Sequence, residues 1–201
     1  MLHISKHLIL YNKIRAVNAI LRSASAEVEY FQAKSGIHCI KNCHECCTKQ
    51  NIYASPLEFY PLAYHLFKTN KAYPFLEELE QAQLNDNSTC ILYKPGLFNL
   101  EFGCENYMYR GLICRLFGYS FSNDKHGALR INTCRIIKRE FADKLNTLPV
   151  KTKKPEMQKY YSQFYKIDFI EANRLVPMNE AIQIAIEKIL FHYQFRTRRP
   201  A

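Results

Sequence analysis

The chain of 201 residues has no tryptophan and only six glycines. No GxGxxG or GxxxxGK[ST] string occurs, which argues against a glycine-rich cradle for nucleotide phosphates. No apolar run approaches the roughly 20 residues that span a bilayer, so no membrane insertion is expected. A secretory leader is also not expected. Lys6, His7, Asn12 and Lys13 interrupt the N-terminal apolar stretch, and no small-residue cleavage site follows it. The expected location is therefore cytoplasmic. Cysteine is missing from the first 38 and the last 67 residues, although the chain holds eight.

What is present suits a folded protein. Apolar residues make up 48% and charged residues 23%, a globular balance, and the length fits one domain with helical extensions. The formal charge of +10 is uneven, with residues 51–100 net acidic and residues 151–201 the most basic. Lys151, Lys153 and Lys154, then Arg196, Arg198 and Arg199, form clusters that can face a nucleic acid or an acidic protein. A solvated linker and tail explain them equally, and no helix-turn-helix or RNA-binding signature accompanies them.

The first segment reads as one long helix. Leu10, Ile14, Val17, Leu21, Ala24, Val28 and Phe31 alternate steps of four and three, which places them on one stripe. Such a stripe either packs on the chain's own core or pairs two copies into a dimer. Ser35-Gly36 ends it, because glycine accepts the left-handed conformation of a helix stop. Ser55-Pro56-Leu57-Glu58 has the form of a capping box that opens the next helix, with Pro61 as a kink inside it. A second short helix is expected over 75–84. Residues 90–93, 112–121 and 128–136 read as short strands or extended loops, and 146–155 as a linker. A helix over 156–173 follows, and Asn179 is positioned to cap a last one carrying Ile182, Ile186, Ile189, Leu190 and Tyr193.

The cysteines carry the chemistry. Their order is Cys39-x3-Cys43-x2-Cys46-Cys47, then Cys90, Cys104, Cys114 and Cys134. In a reducing cytoplasm this count suggests metal ligands or redox groups before disulfides. Gaps of two or three residues let a turn bring two sulfurs to one metal at about 2.3 Å. Thiolates are soft donors that select zinc, copper(I) or iron–sulfur clusters over magnesium or calcium. The eight can fill two tetrahedral sites or wrap one polynuclear centre. Adjacent side chains usually diverge, so Cys46 and Cys47 are expected to serve different metals, or one of them to be no ligand. His38 and His44 flank the first cluster, as ligands or as hydrogen-bond donors behind it. Arg110, Arg115 and Arg135 can offset thiolate charge or simply face solvent.

In this pattern the chain resembles the YkgJ-like cysteine-cluster family of zinc- or iron-chelating CxxCxxCC proteins. Cys39-x3-Cys43-x2-Cys46-Cys47 is similar to the leading cluster, with one extra residue in the first gap. Cys90-Ile91-Leu92-Tyr93 stands where the family has C-P-[FY]-L. Cys104-x2-Tyr107-x2-Arg110-Gly111-x2-Cys114-Arg115 is similar to C-x2-Y-x2-R-P-x2-C-R, and Cys134 matches the last family cysteine. Ile91 and Gly111 replace the usual prolines. The resemblance covers roughly residues 37–136. It implies that Cys39, Cys43, Cys46, Cys47, Cys90, Cys104, Cys114 and Cys134 bind zinc or iron, an iron–sulfur cluster included.

An enzyme is the alternative. The first three cysteines match the spacing of radical S-adenosylmethionine enzymes, and related family members act in protein lysine methylation. Glu45 stands where that superfamily has an aromatic residue, and no strand–helix alternation for a partial barrel follows. Tyr53, Glu105, Tyr107 and Tyr109 are available to line such a site. A further alternative is an interaction module that metal merely stabilises. The expected fold is mainly α: a loop-rich cysteine core with short strands (37–136), clamped by an N-terminal helix (1–36) and a C-terminal helical region (137–201).

Overall fold

The protein is described here by a computed structural model covering residues 2–40, 43–49, 52–85, 87–94, 103–149 and 152–195. Helix α1, Leu2–Ser35, runs 34 residues, about 50 Å at the usual rise. All seven residues of the stripe from Leu10 to Phe31 are buried. Gly36 ends the helix with φ +63° and donates its N–H to the Gln32 carbonyl at 2.8 Å.

Strand β1, Tyr53–Ala54, leads into a 3-10 turn, Pro56–Phe59, and helix α2, Tyr60–Lys68. The capping box forms: the Ser55 N–H donates to Glu58 Oε1 at 3.0 Å. Pro61 differs from expectation. It lies in the first turn of α2 and not mid-helix, because the preceding residues wind as the tighter 3-10 turn. Helix α3 spans Ala72–Leu84, starting ahead of Phe75.

Strands β2, Tyr93–Lys94, and β3, Gly103–Cys104, pair antiparallel with Tyr93 opposite Cys104. Residues 112–121 were expected to be extended, but Leu112–Leu116 form helix α4. The reason is non-local. The buried Glu58 carboxylate accepts the Ile113 N–H at 3.0 Å and so serves a second helix start. Beyond it, β4, Ser120–Asn123, and β5, Leu129–Asn132, form a hairpin. Helices α5, Arg135–Glu140, and α6, Ala142–Asn146, follow, and residues 152–155 ahead of the next helix are irregular.

The single helix expected over 156–173 is two, α7, Met157–Ile167, and α8, Phe169–Asn173. Asp168 breaks the run. Its carboxylate accepts the Glu171 N–H at 3.1 Å, as a cap for α8, and pairs with Lys13 at 2.6 Å. Strand β6, Val176–Pro177, pairs antiparallel with β1. Helix α9, Met178–Leu190, follows, and a π turn, Phe191–Phe195, ends the described chain. Asn179 was expected to cap α9. It lies inside the helix, and Pro177 holds the cap position.

The described chain is mainly helical, and its ladders are three two-stranded antiparallel pairs. Helix α1 packs against α2, α4 and α7, while α9 packs against the Pro56–Phe59 turn, α2 and α3. One apolar cluster takes in residues from 1–36, 37–136 and 137–201, among them Leu21, Leu57, Phe59, Ile137, Phe164 and Ile182. Burying each such side chain contributes about 1.5–3 kcal/mol. The α1 stripe is thus used within the chain, while Leu8, Ile9, Tyr11 and Tyr30 of the same helix are exposed. Among the described residues no helix is long and apolar enough to cross a membrane.

The basic segment is partly engaged inside the molecule. Glu27, buried on α1, pairs with Lys153 at 3.4 Å and Lys159 at 3.2 Å and accepts the Tyr160 hydroxyl. Lys154 sits 5.5 Å from the centre of the Phe121 ring. Lys151, Arg196, Arg198 and Arg199 lie outside the described residues.

Candidate metal centre

Short ladders and caps, not helix packing, position the cysteines. The Cys39 N–H donates to the Tyr119 hydroxyl at 2.6 Å, and that hydroxyl donates on to Cys39 Sγ at 2.9 Å. The Cys47 N–H closes a turn on the His44 carbonyl at 2.8 Å. The Cys47 carbonyl in turn accepts the Cys90 N–H at 2.9 Å, tying the first cluster to the fifth cysteine. The β2–β3 ladder sets Cys104 beside that turn, with the Glu105 N–H on the Leu92 carbonyl at 2.8 Å. Cys114 rides on α4, and Cys134 occupies the N-cap of α5, its sulfur accepting the Ile137 N–H at 3.4 Å.

All eight cysteines line one cavity of about 1180 Å³. Cys39 is exposed, Cys90 is buried and the other six are half-buried; none forms a disulfide. The sulfurs ring the cavity without converging on a point. Among the described residues no three His, Cys, Asp or Glu side chains are grouped closely enough to hold a metal ion as they stand. The donor chemistry nevertheless fits a soft metal, since thiols dominate the potential ligands around the wall.

Their electrostatics show mutual proximity. Burial pushes the Cys39 thiol up, the Tyr119 hydroxyl eases it, and Cys43, Cys46 and Cys134 push it further. The Cys47 thiol, then burial, raises Cys46 strongly. Burial takes Cys90 up to about 11 and raises Cys104 and, most of all, Cys114. Arg110 opposes the rise at Cys46, Cys104 and Cys114, so it fits the counter-charge expected of it.

Arg115 does something else. It is buried, donates to the Arg110 carbonyl at 2.9 Å, and also bonds Ser25 Oγ and the Met108 carbonyl. It ties the turn after β3 to α1. Arg135 lines the cavity. His38 lines it too, its Nδ1 3.1 Å from the Cys39 carbonyl and its ring against Phe141. The His44 ring stacks on Tyr93. Tyr53, Glu105, Tyr107 and Tyr109, named for an alternative enzymatic site, border this same cavity.

Three contributors carried no cysteine-like signal. Met178 Sδ lies 3.5 Å from Cys90 Sγ and 4.0 Å from Cys114 Sγ, far from the cluster in sequence. Asn179 grips the Cys90 turn, donating to the Thr89 carbonyl and accepting the Ile91 N–H, both at 2.9 Å. Gly111, where the resembled family has proline, meets the Glu58 cap closely: a Cβ there would stand 2.9 Å from Phe59 and 3.0 Å from the carboxylate. No protein-family model, curated protein or solved structure matches the chain.

Proposed function

We propose that this is a cytoplasmic metal-binding protein of the YkgJ-like type. Its cysteine cavity chelates zinc or iron, the iron as an iron–sulfur cluster, through Cys39, Cys43, Cys46, Cys47, Cys90, Cys104, Cys114 and Cys134. One observation carries the reading: eight cysteines from five separate stretches of backbone line a single cavity. Four thiols within nine residues, one exposed and three half-buried, serve no packing purpose, whereas soft-metal binding does need sulfurs from several loops around one space. The helices on either side then clamp a cysteine core. Metal would draw the loops together, supply cross-links between them, and release the protons of the raised thiols.

The test is metal analysis of the full chain purified anaerobically without chelator. Stoichiometric zinc without visible absorption supports structural sites; iron with labile sulfide and a brown colour supports a cluster. Absence of any stoichiometric metal overturns the proposal. Cys43→Ser and Cys46→Ser are each expected to lower metal content and thermal stability together, because metal binding is coupled to folding. Full metal content in both variants counts against the assignment.

One observation favours a second reading, an S-adenosylmethionine- or iron–sulfur-dependent enzyme. The cavity, about 1180 Å³, is larger than metal ions alone require and somewhat exceeds the roughly 300–1,000 Å³ of small-molecule sites, so it has room for such a ligand. Against a radical enzyme, the described residues form no parallel sheet. Saturable binding of S-adenosylmethionine to the metal-loaded chain would move the assignment to this reading.

A further inference from the structure

Cys90 and Cys114 approach a third sulfur that is not a cysteine. The Met178 thioether lies 3.5 Å from one and 4.0 Å from the other, on the wall of the same cavity. Three sulfurs bound at about 2.3 Å to one ion in their plane stand about 4 Å apart. We propose that Cys90, Cys114 and Met178 form a three-sulfur corner of the cavity that takes a soft monovalent cation, copper(I).

The corner is built on fixed backbone. Met178 opens α9, where its N–H donates to the Ile52 carbonyl at 3.1 Å beside the β1–β6 ladder. The next residue, Asn179, holds the Cys90 turn through two hydrogen bonds. Met178 and Cys90 are therefore held against each other by their main chains. Cys114 comes from α4, whose start is set by the buried Glu58 carboxylate.

The donor type selects the ion. A neutral thioether is a soft donor, and with two thiolates it suits copper(I), an ion that soft sulfur ligands select. Binding releases one proton from each thiol, and the two thiolates with a monovalent ion leave one net negative charge. Arg110, on the wall of the same cavity, supplies the opposite charge. Met108 also borders the cavity, but its side chain is largely exposed.

This inference rests on the metal-centre reading of the cavity but names copper(I), not zinc or iron, as the ion that Cys90 and Cys114 take with Met178, and its test separates the two. The full chain is titrated anaerobically with copper(I) against a colorimetric copper(I) chelator, as wild type, Met178→Leu and Met108→Leu. Leucine keeps the volume and removes the sulfur, so folding is retained. Met178→Leu is expected to weaken copper(I) binding at least by the roughly tenfold that loss of a supporting group costs a metal site. Met108→Leu should match the wild type. Selenium-edge absorption of the copper(I)-loaded, selenomethionine-labelled chain should show a copper neighbour that Met178→Leu abolishes. Equal copper(I) affinity in wild type and Met178→Leu, with no copper near selenium, overturns the inference. Zinc and iron content is measured on the same samples: retained zinc or iron in Met178→Leu with weakened copper(I) supports both readings. A chain without zinc or iron that takes copper(I) through Met178 overturns the zinc-or-iron reading and supports this one.

Discussion

The helical scaffold and the cysteine cavity are built from opposite materials. In the scaffold, α1, α2, α7 and α9 interlock through side chains with essentially no exposure, such as Val17, Phe31, Leu62, Phe164 and Ile182. Around the cavity, two-residue ladders, single turns and side-chain caps do the positioning. The scaffold draws its stability from buried apolar area, which needs no ligand. The cavity wall shares Val28, Leu92 and Ile137 with that core, but its thiols line a space instead of filling it. The contrast teaches that one region is set by packing while the other is set by short ladders, turns and caps. Glu58 and Gly111 are the joint between them.

The sharpest way to separate the regions is to damage the scaffold alone. Phe31 is fully buried and makes an edge-on contact with Phe121 at 5.6 Å between centroids. Phe31→Ala is expected to cost about 3–5 kcal/mol in urea unfolding, by the same amount with or without metal. A loss that depends on metal would break the distinction.

The joint comes next. Removing the carboxylate in Glu58→Ala leaves the buried N–H groups of Ser55 and Ile113 without their acceptor, at about 1–3 kcal/mol each. Burial raises the Glu58 pKa above its ordinary value of 4.5, against the lowering effect of those N–H groups. The folded state therefore binds the proton more tightly than the unfolded state. Its contribution is fully present below pH 4.5 and is lost as pH rises through the folded value. Wild-type stability should carry this downward slope, and Glu58→Ala should lack it; parallel pH profiles for the two proteins would contradict the assignment.

Gly111→Ala tests the same joint by crowding it. The added methyl has to displace Phe59 or the Glu58 carboxylate, at about 1–3 kcal/mol. Because Cys114 follows on α4, metal content should fall in step with thermal stability. Full metal retention in a destabilised variant would show that the wall is less dependent on this seat than the hydrogen bonds suggest.

The smallest effect is expected far from the cavity, at Glu27. Burial pushes its pKa up, but the Tyr160 hydroxyl and Lys159 outweigh this and hold it below the ordinary value. Its contribution is present above pH 4.5 and lost as pH falls through the folded value. Both lysines are largely exposed, so Glu27→Gln should cost only about 1 kcal/mol at pH 7, read by thermal unfolding, with unchanged metal content.

Much of the scaffold is legible in the chain. The α1 stripe, the Gly36 stop, the Ser55–Glu58 box and the apolar face of α9 follow from local periodicity and local hydrogen bonds. Helix α4 does not, because its cap comes from Glu58, distant in sequence. The break at Asp168 was equally hidden, since its carboxylate is drawn both to α8 and to Lys13 on α1. Of the candidate centre, the cysteines announce themselves by type and spacing. Arg115 does not show that its donors go to backbone and Ser25, nor does Met178 show that its sulfur faces two thiols.

By itself, then, the sequence determined a helical protein with its soft-donor chemistry confined to residues 39–134, because residue type and short-range spacing are local properties. Tertiary structure alone decided that all eight sulfurs border one cavity, that a methionine from the last helix joins them, and that the α1 stripe is spent inside the chain. Those outcomes depend on which distant segments meet. That is set by burying one shared apolar core and by buried N–H groups finding acceptors across the chain, neither of which a local pattern encodes.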